Sequence, residues 1–395
     1  MMAKAPRGER LIITFLGRRN AGKSSLINAI AEQEIAIVSE KPGTTTDPVA
    51  KAYELIPVGP VTFYDTAGLD DTGDLGEMRV KATRKVLLRT DMAVLVTDEK
   101  GITNEDRKII HDLKKMDIPY VIAFNKSDLA SPEIPVEEVD RALRVSTKTF
   151  LGVHDLKEKI IDSVPDYFRS EPVIIGDIIQ GGDVVVLVVP IDLAAPKGRL
   201  ILPQVQVIRE VLDNDAIAVT VKDRELDEAL EKLSRPPALV ITDSQVVLKV
   251  AGSVPEEVPF TTFSTAFARY KGDLVMLLEG ANMADKLENG DKILIAEACS
   301  HHVQSDDIGR VKIPRWLKQY TGKDLHFDVY TGHDFPEKLE EYALIIHCGS
   351  CMITGMEFKR RLLTAHRQNI PITNYGVIIS KVHGLLDRVV RPFGY

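Results

Sequence analysis

Two short stretches of this 395-residue chain carry residue types and spacings that could do chemistry. The first is GRRNAGKSS, from Gly17 to Ser25, which fits the pattern G-x-x-x-x-G-K-[ST]. Its glycines, Gly17 and Gly22, let backbone N–H groups curl around a β-phosphate. Lys23 reaches the β- and γ-phosphates, and the Ser24 hydroxyl can ligate Mg2+. Asn20, Ala21 and Ser25 count among the nucleotide contacts of the same loop, and the following helix turns its positive end toward the phosphates. The second stretch is HCGSC, residues 347 to 351, which holds two of the chain's three cysteines. The third cysteine stands earlier, in EACSHH, residues 297 to 302.

Three thiols and several imidazoles in the last quarter of the chain suggest a metal, and four readings compete. A structural zinc would take Cys299, Cys348, Cys351 and one histidine in a closed tetrahedron. A 4Fe-4S cluster would use the same three thiolates and leave one iron for a weaker, exchangeable ligand. A C-x-x-C redox pair leaves Cys299 unexplained. Inert buried cysteines explain neither the histidines nor the placement at strand ends.

The elements that must position these stretches come from periodicity. Short β-rich runs alternate with longer amphipathic ones, the pattern of parallel sheets covered by helices, so the fold class is α/β with three domains. The first set runs LIITFLG, VTFYDTAG, MAVLVTDE, YVIAFNKSD and ALRVST. The proline-containing stretch SVPDYFRSEP then breaks the pattern, giving a first domain over 1–170. DVVVLVVP, AIAVTVK, ALVITD and QVVLKVAG, with helices near 203–213 and 225–233, make a second domain over 171–264. No motif there ties to chemistry, which leaves interaction or dimerisation. A third domain, 265–395, contains KILIA, HFDVYTG, ALII and ITNYG together with all the cysteines. Both cysteine clusters therefore hang from the carboxyl ends of strands, the edge where open α/β sheets bind ligands.

Three further stretches sharpen the first site. DTAG places Asp65 near the magnesium ion and the Gly68 amide near the γ-phosphate. NKSD, from Asn125 to Asp128, resembles the guanine-reading motif of GTPases: Asp128 can accept two hydrogen bonds from guanine, and Lys126 packs on the ring. Ser146 sits where such proteins contact guanine O6 through the backbone. PGTTTDP offers a switch threonine for magnesium. By register with tRNA-modifying and ribosome-assembly GTPases this is Thr45, with Thr44 and Thr46 as rivals. Leu69 follows DTAG, where many GTPases keep a water-orienting glutamine, so hydrolysis needs another device. The sequence is similar to potassium-activated GTPases. That resemblance implies that Asn20 helps hold a K+ ion in place of an arginine finger, and that Glu77 is either the water-orienting acid or a solvated side chain in LDDTGDLGE.

Composition excludes some classes. The 50 basic against 58 acidic residues give a net charge of -8 with no basic block, so no nucleic-acid surface is expected. No run spans a bilayer and no signal peptide is evident, which points to the cytoplasm and no membrane partner. An odd number of cysteines in a chain of this length does not make a disulfide framework.

The order C-x-H, 45 intervening residues, then H-C-x-x-C resembles the C-terminal signature of the FeFe-hydrogenase maturation GTPases, here behind a GTPase domain. The resemblance covers the whole chain. It implies a homodimeric, GTP-hydrolysing scaffold or carrier with GTP, Mg2+ and K+ in the first domain and a 4Fe-4S cluster on Cys299, Cys348 and Cys351. Its cargo would be a diiron precursor made with two radical-SAM maturases and passed to the FeFe-hydrogenase apoprotein. The fourth cluster position falls to His301, Glu297 or His347. The competing readings are a ribosome-assembly or tRNA-modification GTPase, and a regulatory GTPase with structural zinc.

Overall fold

The computed structural model describes residues 10–31, 49–66, 86–165, 168, 173–190, 200–298, 307–332, 335–336 and 338–395. The chain forms two compact units, Met1–Glu171 and Pro172–Tyr395.

In the first unit, strands β1 (Leu11–Leu16), β2 (Val49–Leu55), β3 (Gly59–Asp65), β4 (Met92–Thr97), β5 (Tyr120–Phe124) and β6 (Ala142–Arg144) form a sheet in the order β2-β3-β1-β4-β5-β6. All neighbours are parallel except β2 and β3. β1, β4 and β5 are buried along their whole length, because helices cover both faces of a parallel sheet and leave neither face to solvent. Side-chain alternation splits β4 between two cores. Met92, Val94 and Val96 meet helices α1 (Lys23–Ala31) and its neighbour near the end of the unit, while Ala93 and Leu95 meet the opposite helix layer. That opposite layer is α2 (Asn104–Lys115), which starts with a Thr103–Asp106 capping box and buries Ile109, Ile110 and Leu113. Helix α3 (Val153–Asp162) completes the α1 layer through Val153, Leu156 and Ile160.

The second unit holds two four-stranded parallel sheets. One comprises β7 (Val184–Val188), β8 (Ile217–Val221), β9 (Leu239–Thr242) and β10 (Phe260–Thr262) in the order β10-β9-β7-β8. The other comprises β11 (Lys292–Glu297), β12 (His326–Thr331), β13 (Leu344–His347) and β14 (Ile372–Asn374) in the order β12-β11-β13-β14. Their helices are α4 (Leu202–Asp213), α5 (Leu226–Lys232), α6 (Val247–Ser253), α7 (Phe263–Lys271), α8 (Leu274–Asn282), α9 (Ile313–Thr321), α10 (Gly355–Arg367), α11 (Tyr375–Val382) and α12 (Leu386–Val390). One apolar core serves both sheets: Val186, Val240 and Phe260 belong to the same cluster as Ile293, Ile295, Ile346 and Val377. Helix α8 lies so close to β14 that a Cβ on Gly280 would come 2.0 Å from the Ile372 carbonyl oxygen.

The fold class read from the sequence holds, with two local differences. QVVLKVAG is helical in α6, because Val247, Val250, Ala251 and Val254 recur at helical spacing and share one buried face. Strand β2 escapes an apolar-run reading because it is an edge strand, with only Lys51 and Leu55 buried. Among the described residues, no helix is long and apolar enough to cross a membrane.

Candidate nucleotide site and cysteine site

The loop between β1 and α1 takes a shape that demands its glycines. Gly17 has φ +133°, and a Cβ there would lie 2.2 Å from Val96 O; Gly22 has φ +93°, and a Cβ would lie 2.2 Å from Asn125 Nδ2. Asn20 stands at the exposed tip with φ +61°, a conformation asparagine tolerates better than most residues. Lys23 is buried and folds back, its Nζ donating to Gly17 O at 2.9 Å and Arg18 O at 2.8 Å. The Ser24 hydroxyl donates to the Asp65 carboxylate across the loop. Asp65 is the last residue of β3, in register with Phe15, and Thr66 after it donates to Phe15 O at 2.7 Å. A hydroxyl and a carboxylate converging at a phosphate loop are hard oxygen donors of the kind Mg2+ accepts, so the residues present fit that ion.

The base-reading side is assembled by hydrogen bonds between loops. Asn125 donates to Ala21 O at 2.8 Å and accepts from the Thr147 amide at 3.3 Å, which ties the phosphate loop to the loop after β6. Ser146 donates to Asp128 at 2.7 Å and so fixes the carboxylate. The Ser146 amide donates to Leu151 O at 2.9 Å. Lys126 has φ +59° and pairs with Glu99 at 3.3 Å. Sequence reasoning missed Arg18. Its guanidinium donates to Asp98 at 2.7 Å, just beyond β4, and thereby anchors the phosphate loop; an arginine inside that motif was the available signal. Thr44, Thr45, Thr46, Gly68, Leu69 and Glu77 lie outside the described residues.

At the second site, β11 and β13 run side by side with Ala296 opposite His347. The Cys348 amide donates to Ala296 O at 2.8 Å, and the Ala298 amide donates to Cys348 Sγ at 3.1 Å. The loop from Cys348 then turns through Ser350, at φ +57°, into α10, whose N-cap Thr354 accepts from the Glu357 amide. Cys348 is buried and Cys351 half-buried, and both are free thiols. Burial pushes the Cys348 thiol up to about 11 and raises Cys351 as well, so both are protonated near neutrality. Cys299, His301 and His302 lie outside the described residues. Among the described residues no three His, Cys, Asp or Glu side chains are grouped so as to hold a metal.

Two candidates for the fourth ligand, His347 and Glu297, make hydrogen bonds within the fold. His347 is fully buried; its Nε2 accepts from Arg361 at 3.0 Å, because a guanidinium can only donate, which leaves Nδ1 to donate to Cys348 O at 2.9 Å. Arg361 is itself paired with the buried Glu357. Both ring nitrogens are thus engaged in hydrogen bonds, one of them to the cysteine loop. Glu297, 1% exposed, accepts from Arg310 at 2.8 Å and from the Tyr375 hydroxyl at 3.4 Å. Gly309 makes room for that tyrosine, since a Cβ there would lie 2.0 Å from its hydroxyl oxygen.

Burial, followed by the Arg361 charge, drives the His347 imidazole down to about 3. The unfolded chain protonates this side chain below about pH 6.5 and the folded chain does not until about pH 3. Its stabilising contribution is therefore complete above pH 6.5 and declines as the pH falls toward 3. The only tryptophan of the chain, Trp316, lies in the same unit and reports its unfolding. The urea midpoint followed by its fluorescence is expected to drop from pH 7 to pH 5, and to drop less in His347→Gln.

A phosphate loop after β1, a carboxylate at the end of β3 and a guanine-type motif after β5 define a P-loop GTPase domain, here followed by two parallel α/β domains. Comparison with known families agrees. Residues 12–126 match the model of the 50S ribosome-binding GTPase, residues 174–272 that of the hydrogen maturase F dimerization domain, and residues 275–392 that of the hydrogen maturase F tetramerization domain. The chain belongs to the hydrogen maturase F family. Its first domain is similar to the tRNA modification GTPase MnmE of Prochlorococcus marinus (strain NATL2A), 41% identical over 154 residues, covering 37% of this chain and 33% of that protein. MnmE of Chromobacterium violaceum is 38% identical over 160 residues, covering 40% and 35%. The chain thus spans about a third of the length of these curated relatives. Among solved structures, the G domain of the T. maritima FeoB iron transporter aligns with 22% identity and a TM-score of 0.31, over 40% of this chain and 99% of that one.

Proposed function

We propose that this chain is a GTP-hydrolysing scaffold and carrier of FeFe-hydrogenase maturation, self-associating and cytoplasmic. On this reading its last domain holds a 4Fe-4S cluster on Cys299, Cys348 and Cys351 and receives a diiron precursor, made with radical-SAM maturases, for the hydrogenase apoprotein. One observation carries the cluster reading: Ala298, the covalent neighbour of Cys299, donates to Cys348 Sγ at the carboxyl edge of one parallel sheet. The soft sulfur donors present there fit an iron-sulfur group. When bound, such a group would offer an iron site not closed by thiolate, open to an exchangeable ligand. With His347 and Glu297 engaged elsewhere, His301 is the remaining candidate from the signature. The family models over 174–272 and 275–392 support self-association through both appended domains. Anaerobically purified protein is expected to be brown, with about four irons and matching acid-labile sulfide per chain. A colourless protein with one zinc per chain would overturn the cluster.

In the first domain, GTP is the substrate. Lys23 and the loop amides bind its phosphates, Ser24, Asp65 and Thr45 hold Mg2+, and Asn125, Lys126 and Asp128 read guanine. Asn20, at the exposed tip, is the proposed K+ donor, and Glu77 the proposed water-orienting acid. Turnover is expected to be roughly tenfold or more faster in potassium than in sodium at equal ionic strength, about 1.4 kcal/mol of barrier. Asn20→Gly, which keeps the positive φ accessible, should erase the difference. Equal rates in both salts for the unaltered protein would remove K+ from the mechanism.

A further inference from the structure

Lys271 is the last residue of α7, in the segment matched by the dimerization-domain model, yet its side chain ends beneath the cysteine loop. It is 2% exposed, and its Nζ donates to Ser350 O at 3.2 Å and Ile353 O at 3.3 Å. These carbonyls bracket Cys351 in the chain, and Ser350 is the loop residue held at φ +57°. An ammonium group taken wholly out of water costs several kcal/mol unless its partners repay it, and an apolar side chain of similar length would fill the space without that cost. The loop turns its carbonyl oxygens toward this cation, and the Lys271 charge also bears directly on the Cys351 thiol, pulling it down against burial. The same loop is also held by His347, which bonds Cys348 O and is itself held by Arg361.

We infer that Lys271 is a positioning residue of the cysteine site: it fixes the backbone from which Cys348 and Cys351 project, and it sets a buried positive charge behind them that favours the more negatively charged, reduced state of an iron-sulfur group. Net charge near a cluster and the order of its ligand loop are the protein's levers on its reduction potential. The charge arm rests on the cluster reading above; the backbone arm does not. Because the lysine comes from α7, the domain matched to dimerization contributes a structural part to the site in the domain that follows.

The test compares the unaltered full-length protein with Lys271→Met and Lys271→Arg by two measurements. In metal-free protein, hydrogen exchange at residues 348–354 is expected to speed up in Lys271→Met and to stay near the original rate in Lys271→Arg. In anaerobically reconstituted protein, the midpoint potential followed by electron paramagnetic resonance is expected to become more negative in Lys271→Met and to be restored in Lys271→Arg. Unchanged exchange in Lys271→Met overturns the backbone role, whatever the metal content. An unchanged potential in a Lys271→Met protein that loads iron fully overturns the charge role and leaves the cluster standing. Absence of iron and sulfide in all three proteins overturns the cluster reading and the charge role together, while the exchange data still decide the backbone role.

Discussion

Replacing Asp128 by asparagine is expected to weaken GTP binding by roughly a hundredfold to ten-thousandfold and to make xanthosine triphosphate the better ligand. The magnitude follows from losing two hydrogen bonds to a charged acceptor, about 1.5–3 kcal/mol each. The reversal follows from how the site holds that carboxylate. The Ser146 hydroxyl donates to Asp128 at 2.7 Å, so an asparagine keeps its oxygen toward Ser146 and turns its NH2 toward the base. A donor there repels the guanine amino group and welcomes the C2 carbonyl of xanthine. Competition against a fluorescent guanine nucleotide measures both constants. Retained GTP preference in Asp128→Asn would show that the base is read elsewhere, and Ser146→Ala should produce a smaller loss of affinity without the reversal.

Cys348→Ser is expected to strip nearly all iron from the protein while leaving GTP turnover in the first unit close to its original rate. Serine is nearly isosteric, and its oxygen can still accept from the Ala298 amide that now donates to Cys348 Sγ, so the sheet edge should survive. What disappears is the thiolate, and an alcohol does not replace it as a soft ligand at neutral pH. Cys351→Ser should behave alike. His347→Gln should retain iron, because both imidazole nitrogens serve Cys348 O and Arg361 and are not free to ligate. Full iron in Cys348→Ser, or loss confined to His347→Gln, would reverse the assignment. Colorimetric iron and sulfide analysis decides, with circular dichroism to confirm folding.

The parts of these sites that were legible in the sequence are those whose geometry is local. A phosphate loop needs its glycines within a few residues of its lysine, and buried parallel strands need uninterrupted apolar runs, so Gly17, Gly22, Lys23 and the central strands could be read directly. The contacts that the sequence does not disclose depend on partners far along the chain. His347 looked like a donor because it precedes a cysteine, and only the approach of Arg361 from α10 shows it committed. Glu297 shares a strand with the cysteine cluster, but Arg310, 13 residues on, claims it. For Ser146, the sequence could not show that its hydroxyl is spent on Asp128 and its amide on Leu151 O. Edge strand β2 and helix α6 eluded the reading because half-covered strands and valine-rich helices blur the two periodicities.

The apolar core common to the two sheets of Pro172–Tyr395 bears on what can be transplanted. Where separate cores meet at a hinge, evolution or an engineer can shuffle one module without its neighbour. Here Val240 and Phe260 share their packing with Ile293 and Ile346, and α7 lends Lys271 to the loop beyond. A graft bearing the cysteines alone would arrive with an open seam and a missing cation, so the smallest inheritable cassette is the whole pair.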